Sequence, residues 1–223
     1  MGQVAGPDLV VDQSLGKVAR LVGHDLRNKL CVMKNSLYYL EMRVGRENEK
    51  VAKHLDLLLH EIGSSNDMIM NLMDILAPKE PSVSDADLNV LLHLALHQRP
   101  APAGVDLRLH LAPEMPLIAL DAEQVSRAIE NILLFEYASL REGAVLRIVT
   151  RCNGRAYIEF IDSGPGLSED ELDRLCDLHD IDGPSSLPMG LVVARRLIEK
   201  GGGSLEVESR PGVGTRFSII LPI

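Results

Sequence analysis

The chain has 223 residues, 46% hydrophobic and 25% charged, with 18 Gly and 12 Pro; this is an ordinary globular composition, long enough for one large or two modest cores. Trp is absent and only three Phe and four Tyr are present, which leaves little material for a nucleic-acid reader that stacks bases on aromatic rings. A net charge of −9 further opposes a duplex or an anionic membrane, and no apolar run approaches the ~18–20 residues needed to span a bilayer.

The N-terminal stretch MGQVAGPDLVV lacks the basic-then-apolar layout of a signal peptide, and Gly6 stands where a myristoylation signal wants Ser or Thr. Cys31, Cys152 and Cys176 are odd in number and show no C-x-x-C spacing, the pattern of reduced thiols in a cytoplasmic protein with no disulfide frame or zinc site. They are expected to be small buried hydrophobes.

From Ser14 to Val44, apolar residues at Leu15, Val18, Val22, Leu26, Leu30, Met33, Leu37, Leu40 and Val44 trace one stripe of a helix. Gly45 and RENE interrupt it, and a second stripe from Val51 to Leu76 stops before Pro78 and Pro81. Such a hairpin cannot hide both stripes alone, so a homodimer pairing two hairpins in a four-helix bundle is expected. The stretch APKEPSVSD reads as a linker. Beyond it the spacing predicts helix over Leu88–Gln98, strands over Val105–Leu111 and Leu117–Leu120, helix over Ala122–Leu140, and a hairpin of Ala144–Arg151 and Tyr157–Asp162 around Asn153-Gly154. Helices over Glu169–His179 and Gly190–Lys200 follow, then a closing hairpin of Ser204–Ser209 and Thr215–Leu221. The fold class is α+β, a mixed sheet against helices.

His24 projects away from the apolar stripe, toward solvent, with Asp25 beside it and Asn28 one turn on. A carboxylate can hold an imidazole tautomer and take its proton while the other nitrogen attacks phosphorus, and an amide one turn away can orient a hydrolytic water. The run His24-Asp25-Leu26-Arg27-Asn28-Lys29-Leu30 resembles the H-E/D-L-R-x-P-L box of the two-component histidine kinases, with Lys29 in place of proline. Asp162-Ser163-Gly164-Pro165-Gly166-Leu167 resembles that family's first glycine box, helix 122–140 its asparagine box, and ESRPGVGTRFSIILP its closing hairpin. The resemblance implies a dimerisation and histidine-phosphotransfer hairpin over residues 11–80 and a Bergerat-type (GHKL) α/β sandwich over 83–223. It also implies that Asp162 accepts an adenine amino hydrogen and that Asn131, Gly164, Gly166 and Gly190 line a vestigial or weak nucleotide site.

The phosphate end departs from the family pattern. Phe135 stands at the second asparagine of N-x-x-x-N, a family ligand of the magnesium that bridges the phosphates, and a ring offers no oxygen to a hard cation. Glu136 replaces Ala or Gly, and the second glycine box, Ser186-Leu187-Pro188-Met189-Gly190-Leu191, keeps only its last glycine. Between the boxes, Glu169, Asp170, Glu171, Asp173, Asp177, Asp180 and Asp182 face Arg174 alone, and residues 81–223 carry −8 of the −9 net charge. His93 and His97, spaced i, i+4, lack a third ligand, so no metal site is expected.

The expectation is a cytoplasmic histidine phosphotransferase of a phosphorelay. His24 exchanges a phosphoryl group with aspartates of response-regulator receiver domains that dock beside it, and the magnesium is the receiver's own. Two alternatives stand beside it: an autokinase using Mg-ATP, and a non-catalytic dimeric pseudokinase scaffold. No nucleic acid or membrane insertion is expected.

Overall fold

A computed structural model describes residues 13–175 and 187–223. The chain divides into two compact units, residues 1–79 and 80–223.

The first unit is a hairpin of α1 (Gln13–Val44) and α2 (Glu49–Leu76). Asn48 begins α2 as its N-cap, its side chain accepting from the amides of Lys50 at 3.1 Å and Val51 at 3.3 Å. The helices run antiparallel and approach closely where α1 has no side chain. A Cβ at Gly23 would meet the Met73 side chain, and one at Gly16 the Leu76 carbonyl oxygen. Arg27 continues this face, one guanidinium nitrogen 3.3 Å from Met70 Sδ. Of the predicted α1 stripe, Leu37 is buried and Leu30 half-buried. The other seven are left open, from 41% exposed at Leu26 to 56% at Val18 and Val44. The face of α1 that meets α2 is thus offset from its apolar stripe, which the hairpin does not cover.

The second unit is the expected mixed sheet against helices. Its elements are β1 (Ser84–Ala86), α3 (Leu88–Gln98), β2 (Asp106–His110), β3 (Ile118–Leu120), α4 (Ala122–Ser139), β4 (Val145–Cys152), β5 (Ala156–Asp162), α5 (Glu169–Arg174), α6 (Leu187–Lys200), β6 (Ser204–Arg210) and β7 (Gly214–Leu221). The main sheet has order β2-β4-β5-β7-β6, with β2 and β4 parallel and the other neighbours antiparallel. Alternation along β5 turns Ala156, Ile158, Phe160 and Asp162 inward, and β7 adds Phe217, Ile219 and Leu221. These meet Ile129, Ile132 and Leu133 of α4 and Leu191, Ala194 and Ile198 of α6 in one aliphatic core. Each fully buried Leu, Ile or Phe contributes ~1.5–3 kcal/mol.

Three expectations change. The stretch read as a linker ends in the first two residues of β1, which pairs antiparallel with β3 in a separate two-stranded sheet, Asp85 opposite Ala119. The Asp121 carboxylate fixes this corner, accepting from the Gln124 amide at 2.9 Å as the N-cap of α4 and from the Ser82 amide at 2.7 Å. The chain is already helical at Leu187, the first residue described after the gap, ahead of the predicted start at Gly190. Cys31 and Cys152 are exposed instead of buried: the first lies on the open side of α1, the second at the end of β4 beside the hairpin turn. Cys176 and the predicted continuation of α5 to His179 lie outside the described residues.

The loop after β5 and the β6–β7 turn close against each other. Gly166 has φ +67°, and a Cβ there would overlap the Arg210 carbonyl; Gly214 has φ +131°, and a Cβ there would overlap the carbonyl of Asp162. The Gly212 amide donates to Pro165 O at 2.6 Å and the Leu167 amide to Ser209 Oγ at 2.8 Å. Gly166→Ala is therefore expected to destabilise the second unit by more than ~1 kcal/mol, since the left-handed backbone and the overlap both oppose it. Urea melts with and without nucleotide check this; the loss is expected in both.

Candidate functional site

Two groups of residues carry chemistry, one in each unit. In the first, α1 runs unbroken through residues 24–30, as expected with Lys29 where a proline would remove a helical hydrogen bond. His24 has a side chain 67% exposed and Asp25 one 77% exposed. Asn28 Nδ2 lies 3.2 Å from His24 Nδ1, and Asp25 Oδ1 lies 3.6 Å from the same atom. All three predicted residues thus gather at one imidazole nitrogen, and only the Asn28 contact is within hydrogen-bond range.

In the second unit Asp162 ends β5, 8% exposed. Its Oδ1 accepts from the Gly164 amide and its Oδ2 from the Thr215 amide at 2.7 Å. An ionised carboxylate has about four acceptor positions, so two remain for a ligand. Beside it is an open cavity of about 550 Å³, lined by Asp162, Leu172, Val207, Ser209, Thr215 and Arg216 among others. Gly164 and Gly166 do not line it; they lie in the adjoining loop, where Gly166 packs on the backbone of Arg210. Thr215, which the motif reading did not single out, supplies the second donor; it lies inside the GTRF segment that marks the closing hairpin.

Helix α4 buries Asn131 and Glu136 by its hydrophobic periodicity, and neither lines the Asp162 cavity. Asn131 is 2% exposed, and neither its amide nitrogen nor its oxygen has a protein partner. Glu136 is 1% exposed and both of its carboxyl oxygens are likewise unpartnered. Burial, reinforced by the charge of Asp162, pushes its carboxyl up to about 9, so it is protonated at neutral pH. The Phe135 ring packs edge-on against Phe217, centroids 5.4 Å apart. Gly190 is buried in α6, two residues after Pro188, which has no amide hydrogen to offer an anion.

The half-satisfied carboxylate at Asp162 fits the polar edge of a purine, whereas the unpartnered Asn131 amide does not line the same cavity. The metal end does not fit. Magnesium held against a triphosphate takes oxygen ligands, and the position of the family's metal-binding asparagine holds a phenyl ring engaged with the core, followed by a neutral carboxyl group. Glu171 of the acidic run serves the fold instead, accepting from the Ser168 amide and hydroxyl, each at 2.8 Å, in a capping box. Asp177, Asp180 and Asp182 of the remaining run, and Ser186, lie outside the described residues. No cluster of three or more metal-ligating side chains occurs among the described residues; His93 and His97 are simply exposed. No described helix is long and apolar enough to cross a membrane.

The Histidine kinase-, DNA gyrase B-, and HSP90-like ATPase family matches residues 121–223. The sensor histidine kinase ZraS of Klebsiella oxytoca is 26% identical over 216 residues, covering 94% of this chain and 46% of that protein. The signal transduction histidine-protein kinase AtoS of Escherichia coli K12 is 27% identical over 215 residues, covering 94% of this chain and 35% of the relative. The chain therefore spans less than half the length of these curated relatives. Among solved structures, full-length ShkA in complex with AMPPNP superimposes with a TM-score of 0.67 over 93% of this chain and 46% of that one, at 19% identity. The mycobacterial sensor histidine kinase MprB gives 0.56 over 63% of this chain and 97% of that one, at 21% identity. These solved structures share the fold. Residues 121–223 thus match an ATPase-like family, and the likeness to sensor histidine kinases runs over nearly the full length of the chain.

Proposed function

We propose that this histidine-kinase-like signalling protein works as a histidine phosphotransferase, His24 carrying a phosphoryl group that it exchanges with aspartates of response-regulator receiver domains. The observation that carries the reading is a contrast: a solvent-open imidazole with Asp25 and Asn28 at Nδ1, against an ATPase-like domain in which Phe135, at the family's metal-binding asparagine, packs on Phe217 beside a protonated Glu136. In the transfer, the Nε2 lone pair forms the N–P bond as the acyl phosphate P–O bond breaks. The receiver carboxylate leaves with that electron pair, and the imidazole proton passes from Nδ1 to Asp25. The receiver docks on the exposed hairpin beside His24 and brings its own magnesium. The second unit then acts as a scaffold. An autokinase using Mg-ATP is the second reading, supported by the intact Asp162 end of the pocket. Missing a metal ligand and a phosphate-binding turn, it is expected to be slower by orders of magnitude.

The open stripe on α1 supports a homodimer, since seven apolar side chains at helical spacing exceed what a lone hairpin leaves in water. Val22→Lys together with Leu26→Lys is expected to convert the dimer to monomer, read by sedimentation velocity.

Calorimetry with Mg-ATP and Mg-ADP, and incubation with radiolabelled ATP, test the choice of phosphoryl donor. The expected result is no acid-labile label, followed by label on the wild type but not on His24→Gln when a phosphorylated receiver is supplied. Label from ATP on His24 would establish the autokinase. No label from either donor would leave a silent scaffold.

Glu136 adds a pH signature. Its carboxyl titrates near 4.5 when unfolded and about 9 when folded. Between those values the folded state holds a proton that the unfolded state has lost, so its contribution to stability is complete below pH 4.5 and declines until about pH 9. Glu136→Gln is expected to flatten this decline and to raise the melting temperature most at alkaline pH, measured by thermal melts between pH 5 and 9.

A further inference from the structure

Neutral imidazole has one N–H and one lone pair, so whatever binds Nδ1 decides the state of Nε2. At His24 two neighbours of opposite character reach for Nδ1. Asn28 Nδ2, at 3.2 Å, can only donate, which requires a lone pair on Nδ1 and places the ring proton on Nε2. Asp25 Oδ1, at 3.6 Å, can only accept when ionised, which requires Nδ1–H and leaves Nε2 with the lone pair. The two contacts are mutually exclusive, and the distances favour Asn28.

We propose that Asn28 is a positioning residue that holds His24 in its Nε2–H tautomer, a resting form that becomes nucleophilic when Asp25 displaces Asn28 at Nδ1. Asn28 is then a brake on the histidine, and the exchange needs only side-chain rotations on an exposed helix face. Both competitors lie within one turn of His24, on a helix whose backbone is fixed by the close contact of Gly23 with Met73. The consequence for transfer rests on His24 being the phosphoryl acceptor; the tautomer itself does not.

The test uses the full chain, labelled with ¹⁵N, at a pH where imidazole is neutral. Long-range ¹H–¹⁵N correlation, assigned with His24→Gln, reads the tautomer directly. Phosphoramidate, which needs neither ATP nor a receiver, reads reactivity: Nε2 forms the N–P bond, the P–N bond of the reagent breaks, ammonia leaves, and the Nδ1 proton goes to Asp25. The wild type is expected to show mainly Nε2–H. Asn28→Ala, an exposed helical position that tolerates alanine, is expected to shift the population toward Nδ1–H and to speed phosphorylation about three- to tenfold, the scale of one hydrogen bond. Asp25→Asn is expected to do the reverse. A wild type already in the Nδ1–H form, or Asn28→Ala leaving either the tautomer or the rate unchanged or moving the rate down, overturns the proposal. A protein that passes this test yet exchanges no phosphate with any receiver upholds the tautomer assignment and refutes the relay.

Discussion

Asp162 is the hinge pin of the second unit. Its two carboxylate oxygens are claimed by the Gly164 amide of its own loop and by the Thr215 amide at the start of β7, 53 residues away. That pairing fixes the end of β5 against the β6–β7 turn, and the glycines of both loops are those that let the backbones touch. The same carboxylate is the group expected to meet a purine, so support of the fold and recognition of a base converge on one side chain. Its charge also reaches Glu136, where it adds to the effect of burial in keeping that carboxyl protonated.

Helix α4 shows how a binding helix turns into a packing helix. Asn131 retains a buried amide without a protein partner, while Phe135, one turn later, joins the aromatic pair with Phe217 and so the core. A hydrophobic ring in place of a metal ligand gains dispersion contacts and loses nothing the fold needs. Glu136 is the exception to that economy, an unpartnered carboxyl whose burial is tolerable only because it is neutral.

The sequence made the long-period features legible. Both hairpin helices, α3, α4 and the strands of the main sheet lie where spacing and turn residues put them, because their signals are local. The three-residue strand β1 was not visible, since its partner β3 lies more than thirty residues away and nothing in APKEPSVSD alternates. The cysteines read as buried because the residue type usually is; exposure depends on which side of α1 faces α2, and that side is set by Gly16 and Gly23. Asp25 and Asn28 could be named from the motif, but not the atom of His24 at which they meet, since helical spacing brings Asn28 within reach of the ring without saying which nitrogen it takes. Asp162 was recognisable, whereas its donor Thr215 was visible only as part of a hairpin match.

The contact of Gly166 and Gly214 with the chain's own carbonyls bears on how such domains are recognised. If a lineage of this fold ceased to use nucleotide, Phe135 could arise at no structural cost, but alanine at either glycine would be resisted by the folding equilibrium itself. Glycine signatures therefore record an architecture, and the presence of D-x-G-x-G is a weaker guide to chemistry than the side chains at the asparagine-box positions of α4.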